Sequence, residues 1–106
     1  MFIKFDEIEL LDFFESKPTT IGDYAAGEWL YSYHQNGFKV ILLIDIYEMS
    51  VTISITYYDN VVYHEKRNGV IAIVGISSSL LKVILDKEKV IIINKDPLIS
   101  VTVEHT

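Results

Sequence analysis

Two carboxylates, Glu28 and Asp45, are the residues in this sequence best placed to do chemistry together. They lie directly opposite each other if the segments flanking Asn36-Gly37 form a hairpin with a two-residue turn, which Asn-Gly strongly favours. Like charges at opposed positions are destabilising. A bound metal or a basic partner would relieve the repulsion, and an enzyme or small-ligand binder could use the pair together with His34. The simpler alternative is that the strand ends before Glu28, so that the pair never forms.

Other fragments of catalytic and metal-binding motifs are incomplete. His64-Glu65 begins like the zinc motif H-E-x-x-H, but Asn68 does not continue it. The stretch "GISSS", which begins at Gly75, lacks the second glycine that a nucleophile elbow needs. Cysteine is absent from the 106 residues, which excludes thiolate metal sites and a cysteine nucleophile. The sequence therefore predicts a protein that is not an enzyme and has no catalytic residue, metal or cofactor.

Acidic residues are concentrated near the N-terminus. The net charge is −6, and residues 1–28 contain seven acids but only two bases. Such a field repels nucleic acid and anionic lipid and attracts basic proteins, although an acidic helix face is usually just solvated. No stretch approaches the roughly 18–20 apolar residues of a membrane helix. We therefore expect a cytoplasmic protein that binds neither nucleic acid nor membranes.

The acidic stretch "FDEIELLDFFES" has the pattern of a helix over residues 6–16. Asp6 is a suitable N-cap, and Glu9, three residues later, is its expected capping-box partner. Pro18 prevents easy continuation of the helix. The expected apolar face, which should pack on a sheet, consists of Ile8, Leu10, Leu11, Phe13 and Phe14.

After Gly27 the sequence alternates like an antiparallel meander, with turn signals about every 9–12 residues. Two-residue turns at Asn36-Gly37 and at Glu48-Met49 would pair Trp29 with Ile44, and Ile44 with Ile53. A bulge or longer loop is expected near Asp59-Asn60. The paired registers place one wholly apolar face across three strands, formed by Trp29, Tyr31, Tyr33, Val40, Leu42, Ile44, Ile46, Val51, Ile53, Ile55 and Tyr57.

Later strands are predicted at Val61–Arg67, Val70–Ile76, Val90–Asn94 and Leu98–Glu104. Leu80–Leu85 reads as a further strand, with a short helix as the alternative. The whole chain, residues 1–106, is thus predicted to be a single α+β domain. Its helix at 6–16 packs on a mainly antiparallel, meander-like β-sheet that fills 28–106.

This layout resembles the small immunity proteins of bacterial polymorphic-toxin and contact-dependent inhibition systems. The likeness lies in the acidic N-terminal helix, the tryptophan-bearing "EWLYSYHQNGFKVILLIDIYE", the alternating "SVTISITYYDN" and the closing "NKDPLISVTVEHT". It covers most of the chain but includes no diagnostic motif. The resemblance implies a non-enzyme that blocks a cognate protein toxin domain by tight binding inside the producing cell.

Two groups of residues are predicted to bind such a partner. Acidic residues would steer a basic toxin domain, such as a nuclease, into place, and apolar and aromatic residues would anchor it from the mixed face of the sheet. Alternatively, that half-apolar face joins two copies of the chain in a homo-oligomer. The predicted steering residues are Asp6, Glu7, Glu9, Asp12, Glu15 and Asp23, and the predicted anchors are Ile41, Leu43, Tyr47 and Tyr58.

Overall fold

The computed structural model describes residues 3–20, 27–86 and 89–105, which form one helix and two five-stranded sheets. The predicted steering residue Asp23 lies outside these ranges. The helix is α1 (Glu7–Phe14). The strands are β1 (Lys4–Phe5), β2 (Thr19–Thr20), β3 (Glu28–Gln35), β4 (Phe38–Asp45), β5 (Ser50–Tyr57), β6 (Asn60–Arg67), β7 (Val70–Ser77), β8 (Leu80–Leu85), β9 (Lys89–Asn94) and β10 (Ser100–His105).

The N-terminus of α1 agrees with the prediction, but its C-terminus and the width of its buried face do not. The Asp6 carboxylate accepts a hydrogen bond from the Ile8 N–H at 2.8 Å, as an N-cap should. The helix ends at Phe14, because Glu15 adopts a left-handed conformation with φ 56°. Ile8 and Leu11, which were expected in the core, are 76 % and 42 % exposed. The apolar face is therefore narrower than its composition indicates.

The hairpin of β3 and β4 has the predicted register. Trp29 pairs with Ile44 and Glu28 pairs with Asp45, so the strand does not end before Glu28. Asn36 and Gly37 both have positive φ, 50° and 86°, as a two-residue primed turn requires.

The predicted two-residue turn at Glu48-Met49 is wrong. A four-residue loop, 46–49, connects β4 to β5, and it pairs Ile44 with Val51 rather than with Ile53. Within the loop, the Asp45 carboxylate accepts a hydrogen bond from the Glu48 N–H at 3.0 Å, and this bond favours the longer connection. The error shifts the register by two residues, so every side chain remains on its predicted face.

The irregularity predicted near Asp59-Asn60 is a β-bulge. The turn itself is formed by Tyr58 and Asp59, both with positive φ. The register between β5 and β6 then shifts at Ile55/Thr56. The extra residue in β6 keeps His64 off the apolar face, which is why a regular ladder could not continue there.

The prediction of a single meander is wrong for the second half of the chain. After Gly69 the chain leaves the sheet β2-β3-β4-β5-β6 and builds a second sheet in the order β1-β7-β8-β9-β10. β1 is parallel to β7, and the other pairs are antiparallel. The strands predicted after residue 60 are confirmed to within two residues, including Leu80–Leu85. The fold is α+β with far more strand than helix.

The core lies between the inner faces of the two sheets, and α1 packs along one side of it. Phe14 of α1 stacks on Tyr31 of β3, with ring centroids 5.1 Å apart. Among the helices of the described residues, none is long and apolar enough to cross a membrane. The buried apolar residues are Ile3, Leu10, Phe13, Phe14, Trp29, Tyr31, Val40, Leu42, Ile44, Val51, Ile53, Ile55, Val70, Ile73, Leu81, Val83, Leu85, Ile91 and Ile93.

Candidate partner-binding surface

Two of the predicted steering acids hold the helix in place. Asp6 caps α1. Glu9 does not form the expected capping box, because its carboxylate accepts a hydrogen bond from the Gly75 N–H of β7 at 3.0 Å. Gly75 lies on β7 beyond the two residues that pair with β1, so this carboxylate supplies an acceptor where the parallel ladder has ended. Glu9 therefore joins the helix to the second sheet.

A third predicted steering acid, Glu15, pairs with a buried lysine. Lys95 is 6 % exposed, and its Nζ donates hydrogen bonds to the Phe13 carbonyl at 2.5 Å and to Glu15 at 3.3 Å. The ammonium also lies 4.2 Å from the centre of the Tyr33 ring. Since the last turn of α1 contains no basic residue of its own, Lys95 supplies the cation that favours a helix C-terminus.

Glu7 and Asp12 remain as exposed acids of α1 without a structural partner among the described residues. Glu7 lines a groove of about 450 Å³ between α1 and β3, together with the exposed Ile8 and Leu11. Tyr31, also in its lining, has a buried hydroxyl with no hydrogen-bond partner among the described residues. The pKa of Tyr31 is raised to about 12, mainly by burial and to a smaller extent by the negative charge of Glu7.

The four predicted anchors do not form one cluster. Ile41 and Leu43 are half-buried in the middle of the outer face of the first sheet. Tyr47 lies at the end where β4 meets β5, and Tyr58 lies at the opposite end. Because β4 has eight residues, the two tyrosines are separated by about 25 Å along the strands.

The ring of each of these tyrosines lies close to a glycine. A Cβ atom at Gly27 would come within 2.7 Å of the Tyr47 ring, and one at Gly37 within 2.7 Å of the Tyr58 ring. Both rings remain about two-thirds exposed, at 66 % and 67 %. The glycines therefore leave room for two exposed aromatic side chains against the surface, where they are available as binding anchors.

An apolar patch surrounds Tyr58. The Tyr57 ring lies 4.6 Å from the Tyr58 ring, and Val61 and Val62 are exposed on β6. β6 is an edge strand of the first sheet. An exposed apolar edge is a common place for contact with another chain.

At the Tyr47 end the structure brings several polar residues together in a small cleft. Glu28, Asp45 and Glu48 line it with Ser50 and Lys66, and its volume is about 270 Å³. The opposed carboxylates were visible in the sequence. The contribution of Glu48 and Ser50 was missed, because it depends on the four-residue loop that replaced the predicted turn.

The structure separates the residues of the catalytic alternative. His34 lies six residues from Glu28 along β3, which corresponds to about 20 Å. Within residues 3–20, 27–86 and 89–105, no group of three or more His, Cys, Asp or Glu side chains is arranged to hold a metal ion. The proposed use of Glu28, Asp45 and His34 in one active site is therefore wrong.

Tyr63, Glu65 and Arg67 form a polar cluster on the inner face of the edge strand β6. The Tyr63 hydroxyl donates a hydrogen bond to Glu65 at 2.5 Å. The Arg67 Nε lies 2.7 Å from the same carboxylate, although its N–H does not point at the oxygen, so the contact is an ion pair. The pKa of Tyr63 is raised to about 12, chiefly by burial. The hydrogen bond to Glu65 and the negative charge of Glu65 also raise this pKa, whereas the positive charge of Arg67 lowers it.

Comparison with known proteins identifies a structural relative. No protein-family model and no curated protein matches the chain. A chain of the contact-dependent growth inhibition toxin–immunity protein complex from Klebsiella pneumoniae 342 shares its fold, with a TM-score of 0.79 and 25 % sequence identity over 100 % of both chains. The resemblance to contact-dependent inhibition immunity proteins is therefore confirmed. This immunity-like fold includes both sheets and the helix, since the similarity spans the full length.

Proposed function

We propose that this chain is a non-catalytic immunity protein that binds a cognate toxin domain and neutralises it in the cytoplasm of the bacterium that makes both. The observation that carries the proposal is the full-length similarity to a chain of the toxin–immunity complex from Klebsiella pneumoniae 342. The exposed aromatic anchors and the acidic surfaces supply what such a binding protein needs.

The expected partner is a basic domain, such as a nuclease. An enzyme that acts on nucleic acid needs a positively charged surface for phosphates, and a protein of net charge −6 matches it. Opposite charges accelerate association by steering the encounter. Glu7 and Asp12 are best suited to this task, because Glu9 and Glu15 are bonded to Gly75 and Lys95.

The direct test is protection of cells. A candidate toxin domain from the gene neighbouring this one is expressed from an inducible promoter, with and without the chain, and growth and co-purification are measured. We expect growth to be rescued and a stable complex to be recovered. Normal toxicity in the presence of the folded chain would contradict the proposed function.

Binding kinetics at several salt concentrations test the steering. Asp12→Lys, alone and with Glu7→Lys, should slow association several-fold and weaken its salt dependence, because screening acts over about 10 Å at 0.1 M salt. The matched control is Glu104→Lys, which reverses one exposed carboxylate on the distant β10. Equal effects of Asp12→Lys and Glu104→Lys would show that only net charge matters and that α1 does not face the toxin.

A homo-oligomer is the second candidate, and the apolar patch of Tyr57, Tyr58, Val61 and Val62 favours it. A symmetric contact between two β6 edges would bury this patch. Light scattering after size exclusion distinguishes a 12.2 kDa monomer from a dimer. Val61→Lys should dissociate a dimer formed through this edge, and a monomeric wild type would remove this candidate.

A further inference from the structure

Glu28 and Asp45 form a like-charge pair on the outer face of the first sheet. They occupy directly opposed positions on β3 and β4, where two carboxylates repel each other. Asp45 accepts a hydrogen bond from the Glu48 N–H. Glu28 has no hydrogen bond or ion pair with any described residue. The fold keeps a repulsive pair where a neutral one would fit, which is typical of functional positions.

The hydroxyl of a buried serine opens onto the same cleft. Ser50 is 2 % exposed and lines the cleft beside the two carboxylates, since it pairs with Asp45 across the β4–β5 ladder. Its side chain has no hydrogen-bond partner among the residues described. Ser50 therefore offers the cleft an unused acceptor and donor in addition to the charges of its walls.

The cleft suits one cationic side chain better than a metal or a small molecule. Its three carboxylates face a single cation, Lys66, which lies 3.6 Å from Glu48 in an exposed and therefore weak contact. No described group of acidic or histidine side chains has the arrangement of a metal site. The volume of about 270 Å³ is also below the roughly 300–1,000 Å³ of small-molecule sites.

We propose that this cleft receives an arginine side chain of the toxin, an inference that rests on the proposed function. A guanidinium presents five N–H donors in a planar fork, enough to reach both opposed carboxylates and the Ser50 hydroxyl together. A lysine ammonium has only three donors and no fork. Bound arginine removes the repulsion between Glu28 and Asp45 and gives Ser50 a partner. The exposed Lys66 can swing away from Glu48 to admit it.

A short peptide tests the chemistry without the toxin. The uniformly ¹⁵N-labelled full chain is titrated with acetyl-Gly-Arg-Gly-amide, and amide shifts are followed by NMR. The same peptide with citrulline, the neutral analogue of arginine, is the control. We expect saturable shifts centred on residues 28, 45, 48 and 50, with a Kd on the order of 1 mM for one side chain. Lysine should bind more weakly and citrulline not at all.

Variants of the cleft should change binding in opposite directions. Glu28→Gln with Asp45→Asn should abolish the shifts, and Ser50→Ala should weaken binding several-fold. Lys66→Met should strengthen it several-fold, because it removes the competing cation. Glu104→Gln, which neutralises an exposed carboxylate elsewhere, should leave binding unchanged. Thermal unfolding of the Glu28→Gln/Asp45→Asn variant should show that it is folded at the temperature of the titration, so that lost binding is not lost folding.

Several results would overturn the assignment. Equal shifts with citrulline, retention of binding in the Glu28→Gln/Asp45→Asn variant, or weaker binding by Lys66→Met would each do so. Tighter binding of Ca²⁺ or Mg²⁺ at the same amides would make the cleft a metal site instead.

Cell protection separates this inference from the function on which it rests. If the wild type protects cells and the Glu28→Gln/Asp45→Asn variant protects equally well, the arginine site is wrong and the immunity function stands. If the wild type fails to protect, the proposed function is wrong, and the peptide titration alone decides whether the cleft binds arginine.

Discussion

Replacing Lys95 by Met tests how α1 is held against the sheets. Lys95 is almost fully buried, and its ammonium donates a hydrogen bond to the Phe13 carbonyl near the end of the helix. Methionine keeps a long apolar side chain but leaves that buried carbonyl without its donor. We expect K95M to fold to the same structure with a lower free energy of unfolding.

The size of the loss follows from contacts of unequal strength. A hydrogen bond from a charged donor contributes about 1.5–3 kcal/mol. The pair with Glu15 contributes at most about 1 kcal/mol, because the Glu15 side chain is 65 % exposed. The Tyr33 ring contributes about 0.5–2 kcal/mol. Desolvation of the buried ammonium opposes these terms by several kcal/mol, so the expected net loss is about 1–3 kcal/mol.

Urea and thermal unfolding followed by circular dichroism measure this loss. At about 2.1 cal/mol/K per residue, the unfolding entropy of 106 residues is about 220 cal/mol/K, so Tm should fall by about 5–14 °C. The control Lys17→Met, at an exposed position, should stay within about 0.5 kcal/mol. Glu15→Gln should cost no more than about 1 kcal/mol. A K95M variant as stable as the wild type would show that desolvation cancels every contact of the ammonium.

Three further predictions concern the core, the helix and the tyrosines. Ile44→Ala should cost about 2–5 kcal/mol in urea unfolding because Ile44 is fully buried, and Ile41→Ala on the outer face should cost clearly less; equal losses would mean that both faces are buried. Glu9→Ala should cost about 1–2 kcal/mol through the lost bond to Gly75, whereas Asp12→Ala should stay within about 0.5 kcal/mol, and equal values would contradict the helix–sheet bond. Tyr31 and Tyr63 have pKa values of about 12 in the folded protein, against an ordinary value of 10, so their contribution to stability is complete below pH 10 and is lost as pH rises from 10 to 12. A pH titration followed by tyrosinate absorbance should show that Tyr31→Phe removes one group that ionises late. Ionisation of every tyrosine near pH 10 would contradict the raised pKa values.

Local signals in the sequence predicted the strands well, because each depends on near neighbours. Asn36-Gly37 defined the β3–β4 register, since few other residue pairs accept positive φ at both positions. The β4–β5 register was two residues off, because the bond from the Glu48 N–H to Asp45 makes a four-residue loop that Glu48-Met49 does not reveal. The predicted apolar face was still correct, because a register shift of two residues leaves each side chain on the same face of the sheet.

Contacts between distant segments could not be predicted in the same way. Gly75 accommodates Glu9 from 66 residues earlier, and Lys95 caps a helix that ends 81 residues before it. The split into two sheets also depends on which edges meet in space, and β1, with only two residues, carries little signal of its own. For the same reason Glu9 and Glu15 were predicted to be steering charges, and Ile8 was predicted to lie in the core.

The acidic residues differ in role, and a mutational scan should therefore give different results for each. Glu9 and Glu15 contact Gly75 and Lys95, so their loss should reduce stability and, through it, protection. Glu7 and Asp12 have no such contacts among the described residues, so their loss should reduce association alone. Glu28 stands apart, because removing it relieves a repulsion in the free protein and removes a proposed ligand for arginine. A variant that gains stability while losing protection is therefore the signature that distinguishes a binding residue from a structural one in this fold.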